Sequence, residues 1–293
     1  MAAIRELVVR RLGSVSSLCC VAAVWIAVRT SYRGGEVGLL EGKVGLVTGA
    51  SSGLGRATSN LASEEGSKIV LVDINDEAGE AAAEEIRKAG GHAIYVHADV
   101  TKPAEVEAMV AATVSEFGRL DWASNNAVGG GGAMKLLHET DNAVWSSTMD
   151  VCLDGVFNCM KAEVPAMMEA GGGSIVNIIT ASVFKGEAML GAYIAAKGGV
   201  DALTRTGAAE YAGCGIRVNS VAPGGFETPQ IANYFRKFPE HKEKTINQHA
   251  MRRIGQPREV AEPVIWLASD RASFVTGICI PCEGGINVNS HLL

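Results

Sequence analysis

Val44-Gly-Leu-Val-Thr48 followed by Gly49-Ala-Ser-Ser-Gly-Leu-Gly55 decides how this chain is read. A short apolar strand runs into a glycine-rich turn, which opens a helical stretch through Ala62. Glycine lets backbone approach a bulky anion closely. A helix start adds unpaired N–H groups and the positive end of the macrodipole. That combination suits a pyrophosphate, so Gly49, Ser51, Ser52, Gly53, Leu54 and Gly55 become candidate binding residues. The second strand, Ile69–Val72, ends in Asp73, eighteen residues past Gly55. A carboxylate there accepts hydrogen bonds from the adenosine ribose hydroxyls of a dinucleotide. It also repels a 2′-phosphate, and Ala50–Leu54 contains no Lys or Arg to attract one. NAD(H) is therefore expected over NADP(H).

Outward from this unit, strands and helices keep alternating. Further strands are expected at Ala93–His97, Leu120–Ser124, Ser174–Ile179, Arg217–Val221 and Ile278–Pro281. Helices are expected at Asp76–Lys88, Pro103–Phe117 (with Thr101 as a cap), Ala143–Met168 and Ala192–Tyr211. Short, fully apolar strands separated by helices imply βαβ units and a parallel sheet covered on both faces. The fold class is α/β: a single-domain, Rossmann-type, doubly wound sheet of about seven strands. Gly224–Gln256 is the least regular region and reads as a mobile loop or lid. Gly129–Gly132 reads as a flexible loop beside the substrate.

Composition narrows the function classes. At 47% hydrophobic the 293-residue chain can bury a core, which excludes disorder. A net charge of −6 argues against a nucleic-acid partner, which calls for a basic face. The seven cysteines are scattered, and Cys279 and Cys282 fall in an apolar run, so they read as small buried hydrophobes. The six histidines show no ligand spacing, and no metal is expected.

Residues 1–40 differ from the rest, with five Arg against two Glu and an uncharged stretch from Leu12 to Val28. They are set apart as an N-terminal extension, either a targeting or membrane segment or a disordered one, ahead of a domain spanning 41–293. The expected location is cytoplasmic. A mitochondrial or membrane-anchored chain is the alternative, with membrane contact only through 12–28.

The spacing Thr48-Gly-x-x-x-Gly-x-Gly55 resembles the short-chain dehydrogenase/reductase family, over about Leu40 to Gly285. Further motifs agree in order: Asp99-Val100, Asn125-Asn126-Ala127, Tyr193-x-x-x-Lys197, Pro223-Gly224 with Thr228, and Glu283-Gly-Gly285. The resemblance implies that Asp99 and Val100 contact the adenine. It also implies that Asn126, Phe226 and Thr228 serve the cofactor. Four residues along a helix place Tyr193 and Lys197 on one face. An ammonium beside a phenol favours the phenolate, so Lys197 is expected to lower the Tyr193 pKa and make Tyr193 the general acid/base. The resemblance adds that Lys197 holds the nicotinamide ribose. A hydroxyl donor for the substrate oxygen is expected at Thr180, which has the family spacing of 13 before the Tyr, or at Ser182, which has the family residue type. Cys152 stands where the family carries an Asn that helps hold a water leading toward the Lys.

The resemblance implies an NAD(P)-dependent oxidoreductase, with NAD(H) as cofactor, interconverting a small-molecule secondary alcohol and a ketone. It implies a homotetramer or homodimer through the two long helices. The alternative is a dinucleotide-binding protein with weak or no turnover, acting as a scaffold or redox sensor.

Overall fold

The computed structural model describes residues 38–129 and 134–289. The expectations for Leu12–Val28 and for Gly130–Gly132 lie outside the described residues. Seven strands form one sheet: β1 Val44–Thr48, β2 Lys68–Asp73, β3 Ala93–His97, β4 Trp122–Asn125, β5 Gly173–Ile178, β6 Ile216–Pro223 and β7 Cys279–Cys282. The spatial order is β3-β2-β1-β4-β5-β6-β7, and every pairing is parallel. After β3 the chain returns to lie beside β1, so the strand order reverses between β1 and β4. Ligands of open parallel sheets bind at such a reversal, outside the carboxyl ends of the strands.

The helices are α1 Gly53–Glu64, α2 Asp76–Lys88, α3 Pro103–Phe117, α4 Asn142–Met149, α5 Gly155–Glu169, α6 Ser182–Lys185, α7 Gly191–Tyr211, α8 Pro229–Lys237, α9 Glu240–Gln248 and α10 Pro257–Ala268. Among the described residues no helix is long and apolar enough to cross a membrane. α2 shows how locally some boundaries are set. Asn75 caps it by accepting from the Ala78 N–H, Asp76 and Glu77 occupy its first turn, and Arg87 and Lys88 its last.

Both faces of the sheet are buried. One large apolar cluster joins Leu46, Val70 and Ile175 of the sheet to Met109 of α3 and Val164 of α5. Another joins Val47, Ile69 and Trp122 to Leu61 of α1 and Ile265 of α10. β1 and β4 fit closely: a Cβ at Gly45 would lie 2.1 Å from the indole of its neighbour Trp122, so only glycine fits there. Leu40 is buried in the same core, and its N–H donates to the Glu65 carbonyl, so the packed unit begins by Gly38.

Three expected elements are corrected. The helix expected over Ala143–Met168 is interrupted by a π-helical turn, Asp150–Asp154, between α4 and α5. Gly224–Gln256 contains two helices, α8 and α9; Thr228 caps the first by accepting from the Ile231 N–H. Thr101 does not cap α3: Lys102 is the N-cap residue, and the Thr101 hydroxyl instead donates to Asp99.

Beneath the switch point lies a buried polar chain. Asn125 of β4 donates through Nδ2 to Glu163 Oε2 of α5 at 3.1 Å and to Asn177 Oδ1 of β5 at 3.0 Å. Asn177 donates onward to Thr204 Oγ1 of α7 at 3.0 Å. Among the described residues, Glu163 Oε1 and Asn125 Oδ1 have no hydrogen-bond partner and no cation neutralises the carboxylate. Burial pushes the Glu163 pKa up to about 7, with the Asn125 hydrogen bond pulling weakly the other way. The folded value lies above the unfolded one. The contribution is therefore complete in acid below the unfolded value and is lost as pH rises through about 7. Stability measured by denaturant unfolding should fall by about 3 kcal/mol from this group between mildly acid and alkaline pH. In Glu163→Gln that component of the slope should vanish; an unchanged slope contradicts the assignment.

Candidate functional site

The carboxyl ends of β1, β4, β5 and β6 lie side by side along one end of the sheet, where a crevice is expected at the switch point. At β1, Gly49 and Gly53 adopt φ of 65° and 55°, which side chains rarely tolerate. A Cβ at Gly55 would lie 2.2 Å from the Gly49 carbonyl oxygen and 2.6 Å from Asn126 Nδ2. Ser52, exposed, is the N-cap of α1 and makes no side-chain cap bond; the first turn carries no acidic residue. Leu54 packs against the core cluster around Phe226. Asp73 Oδ2 accepts from the Ser51 N–H at 3.0 Å, bringing the acid expected from sequence directly beside the turn.

A basic residue that the sequence reading passed over also reaches this turn. Arg56 of α1 donates to the Ser51 carbonyl at 3.5 Å and is ion-paired with Glu85. Its distance from the glycines in sequence is short; its pairing with α2 is not readable from sequence.

Asn126 closes the crevice. Its side chain donates to the carbonyls of Thr48 and Gly49 at 3.1 and 3.2 Å, while Thr48 Oγ1 accepts from the backbone N–H of Asn126 and Ala127. From β6, Thr228 lies over the turn: a Cβ at Gly53 would meet its methyl at 3.5 Å. The Phe226 ring instead turns into the core against Gly255, so only its backbone is free to face a ligand. Asp99 folds its carboxylate onto the Thr101 N–H and hydroxyl, and Val100 is buried against Gly155.

On α7, Lys197 is almost fully buried and donates to the Ile178 carbonyl at 2.7 Å. Its Nζ stands 6.0 Å from the Tyr193 ring centroid. The expectation that Lys197 lowers the Tyr193 pKa is corrected. Burial raises the phenol well above its usual value, with the neighbouring Cys152 adding to the rise, and burial lowers Lys197. The ammonium is engaged by a strand carbonyl and faces the ring, so desolvation of a phenolate dominates.

Two residues past the Ile178 carbonyl, Thr180 Oγ1 accepts from the Ser182 N–H at 3.3 Å. Ser182 Oγ donates to Glu187 Oε2 at 3.0 Å, and Glu187 also pairs with Lys185. Cys152 is buried on the π turn, its thiol directed at the Gly129 carbonyl at 3.5 Å.

A parallel sheet with a glycine turn at its switch point, an acid at the end of β2, and a Tyr–Lys pair on a helix beside it define a dinucleotide-binding oxidoreductase architecture. A family model described as "Enoyl-(Acyl carrier protein) reductase" matches residues 49–287. A γ-butyrolactone 1′-reductase of the A-factor type (1S-forming) from Streptomyces virginiae is 39% identical over 252 residues, 86% of this chain and 98% of the relative. A cyclohexanol dehydrogenase from Acinetobacter sp. (strain SE19) is 43% identical over 235 residues, 80% of this chain and 91% of the relative. The crystal structure of levodione reductase superposes with a TM-score of 0.80 at 35% identity, covering 85% of this chain and 98% of that one. The chain belongs to the short-chain dehydrogenase/reductase family. It is an oxidoreductase of that family acting on CH–OH groups, for which NAD or NADP is the typical acceptor.

The residues present fit such a coenzyme. The missing side chains of Gly49 and Gly55 let the turn pack tightly against Asn126 and Ala127, so that the start of α1, with no acid in its first turn, presents its N–H groups at the switch point. Gly55→Ala should therefore force the Asn126–Gly49 contact apart and cost about 1–3 kcal/mol. A thermal melt of the variant equal to that of the parent contradicts this packing.

Proposed function

We propose that this chain interconverts a secondary alcohol on a small, mostly apolar ring with the corresponding ketone, using NAD(H), with Tyr193 as general acid/base. The observation that carries the reading is the pairing of half-buried Tyr193 with buried Lys197, which is tied to the end of β5 through the Ile178 carbonyl. The cyclohexanol dehydrogenase among the relatives supports a cyclic substrate. So do the exposed Leu136, Leu137, Met189 and Met251, apolar side chains on loops at the carboxyl side of the sheet.

When bound, a nicotinamide coenzyme supplies or accepts the hydride. Tyr193 Oη, held neutral by burial, donates its proton to the carbonyl oxygen in reduction and takes it back in oxidation. Thr180 is assigned as the hydroxyl that steadies the substrate oxygen. Its Oγ1 accepts from the Ser182 N–H, which leaves its own proton to donate, whereas the Ser182 proton is already given to Glu187. Lys197, anchored on the Ile178 carbonyl, keeps a cation under the phenol ring.

Asp73 supports NAD(H), because its carboxylate lies against Ser51 where a 2′-phosphate would sit, and Arg56 is already paired with Glu85. Gly49, Ser51, Ser52, Gly53, Leu54, Gly55 and Asn126 form the pyrophosphate side. Asp99 and Val100 lie toward the adenine, and the backbone of Phe226 together with Thr228 lies toward the nicotinamide. The long helices α5 and α7 are assigned as the homo-oligomer faces; Phe157 of α5 is about half exposed. Weak or absent turnover, the second reading, rests on Cys152 beside Tyr193 and Lys197.

Tyr193→Phe should lower kcat for reduction of a cyclic ketone by about 10²–10⁴-fold with coenzyme affinity kept. Because the neutral phenol is favoured, wild-type ketone reduction should persist through neutral pH and alcohol oxidation should climb toward alkaline pH. Wild-type turnover in the Phe variant, followed by NADH absorbance, rejects the mechanism. Asp73→Ser should raise the NADP(H)-to-NAD(H) ratio of kcat/KM by about tenfold or more, the scale of removing one like-charge contact. An unaltered ratio places the discrimination elsewhere.

A further inference from the structure

His249 lies outside the chemistry just assigned, yet its bonds reach into the loop that approaches the glycine turn. It follows α9 and is only 1% exposed. Its Nδ1 stands 2.8 Å from the Thr245 carbonyl. A carbonyl only accepts, so Nδ1 carries the proton. Its Nε2 accepts from the Gly225 N–H at 3.1 Å. The two bonds together require one neutral tautomer.

The ring is also enclosed by backbone. A Cβ at Gly225 would lie 3.0 Å from its Cε1, and a Cβ at Gly284 3.2 Å from its Cδ2. Gly225 passes the constraint on. Its carbonyl accepts from the Gly255 N–H at 2.9 Å, and the Gly255 carbonyl accepts from the Glu227 N–H at 2.9 Å. Glu227 adjoins Thr228, whose methyl covers Gly53. The Gly224 N–H, on the other side, donates to the Cys282 carbonyl at the end of β7.

We propose that His249 is a positioning residue for the nicotinamide half of the coenzyme. Its imidazole ties the α8–α9 segment to Gly225 and so sets the shape of the Pro223–Thr228 loop. The inference rests on the coenzyme reading above and adds a residue to it. His249 acts through Gly225 rather than by touching the ligand. Removing its acceptor leaves the Gly225 N–H without its partner, and the loop must move to satisfy it. The glycine turn and Asp73, which serve the adenosine and pyrophosphate half, share none of these bonds.

The test separates the two halves with two ligands, NADH and ADP-ribose, titrated against the purified full chain. His249→Phe keeps a ring between Gly225 and Gly284 but removes both nitrogens. Its NADH dissociation constant and coenzyme KM should rise about tenfold, the scale of one buried hydrogen bond lost. Its ADP-ribose affinity should stay within about twofold, because the adenosine half keeps its contacts. His249→Gln, which offers an oxygen to the Gly225 N–H, should recover most of the NADH affinity. Gly225→Ala leaves His249 in place but crowds its Cε1, and should reproduce the NADH-selective loss even where the Phe variant does not fold. Unchanged NADH affinity in these variants, or equal loss of NADH and ADP-ribose, overturns the proposal. A wild-type chain that binds neither ligand overturns the coenzyme reading itself, and that result is visible before any substitution is made.

Discussion

The hydrogen bonds between Thr48 and Asn126 hold the site in place. β1 and β4 are neighbours in space but 74 residues apart from the Thr48 end of one to the Trp122 start of the other. Past their last paired residues the strands must diverge to leave a crevice. Thr48 Oγ1 takes two backbone N–H groups from the β4 side, and the Asn126 amide returns two bonds to the β1 side. Backbone groups that would otherwise be orphaned at the carboxyl ends of these central strands are paired. The glycine turn, with positive φ at Gly49 and Gly53, is thereby fixed in one shape. Gly55 completes the arrangement, because only its missing side chain lets α1 begin so close to Gly49.

What the sequence revealed was what short-range spacing encodes. The glycine turn, Asp73 at the end of β2, the α2 boundaries and the Tyr193–Lys197 pair all depend on residues within one βα unit or one helical turn. The doubly wound parallel sheet followed from the same alternation, whereas the order of its strands came from the structure. What escaped the reading depends on residues far apart in the chain. The π turn at Asp150–Asp154 has no propensity signature. Helix α8 does space Ile231, Tyr234 and Phe235, with Phe238 at its C-cap, along one side, but it is only nine residues long and buries none of them fully, and α9 is polar and largely exposed. Glu163 is unremarkable in a helix until its carboxylate is found beneath Asn125, and His249 until both its nitrogens are found engaged.

The phenol illustrates where a local argument reverses. One helical turn brings Lys197 to Tyr193, and in water the cation would dominate. In the folded protein both groups are desolvated, and Lys197 spends a hydrogen bond on Ile178. Desolvation penalises the charged form of each, raising the phenol and lowering the ammonium. The pair is thus poised toward the neutral phenol, which is the proton-donating form. Cys152 reinforces this, since a buried thiol next to both groups contributes no cation and raises the phenol further.

The proposed preference for NAD(H) rests on a similar logic of charges already committed. A count of basic residues near the turn would credit Arg56 with attracting a phosphate. Its guanidinium, however, is held by Glu85 from α2 and by the Ser51 carbonyl. Asp73 meanwhile keeps its carboxylate against the Ser51 N–H, fixing negative charge at the rim. On the NAD(H) reading proposed above, α2 takes part at a distance: by occupying Arg56 it leaves Asp73 as the uncompensated charge beside the turn. Separating those two contributions requires breaking the Arg56–Glu85 pair with Asp73 intact, because only then does the cation compete with the acid for the same substituent.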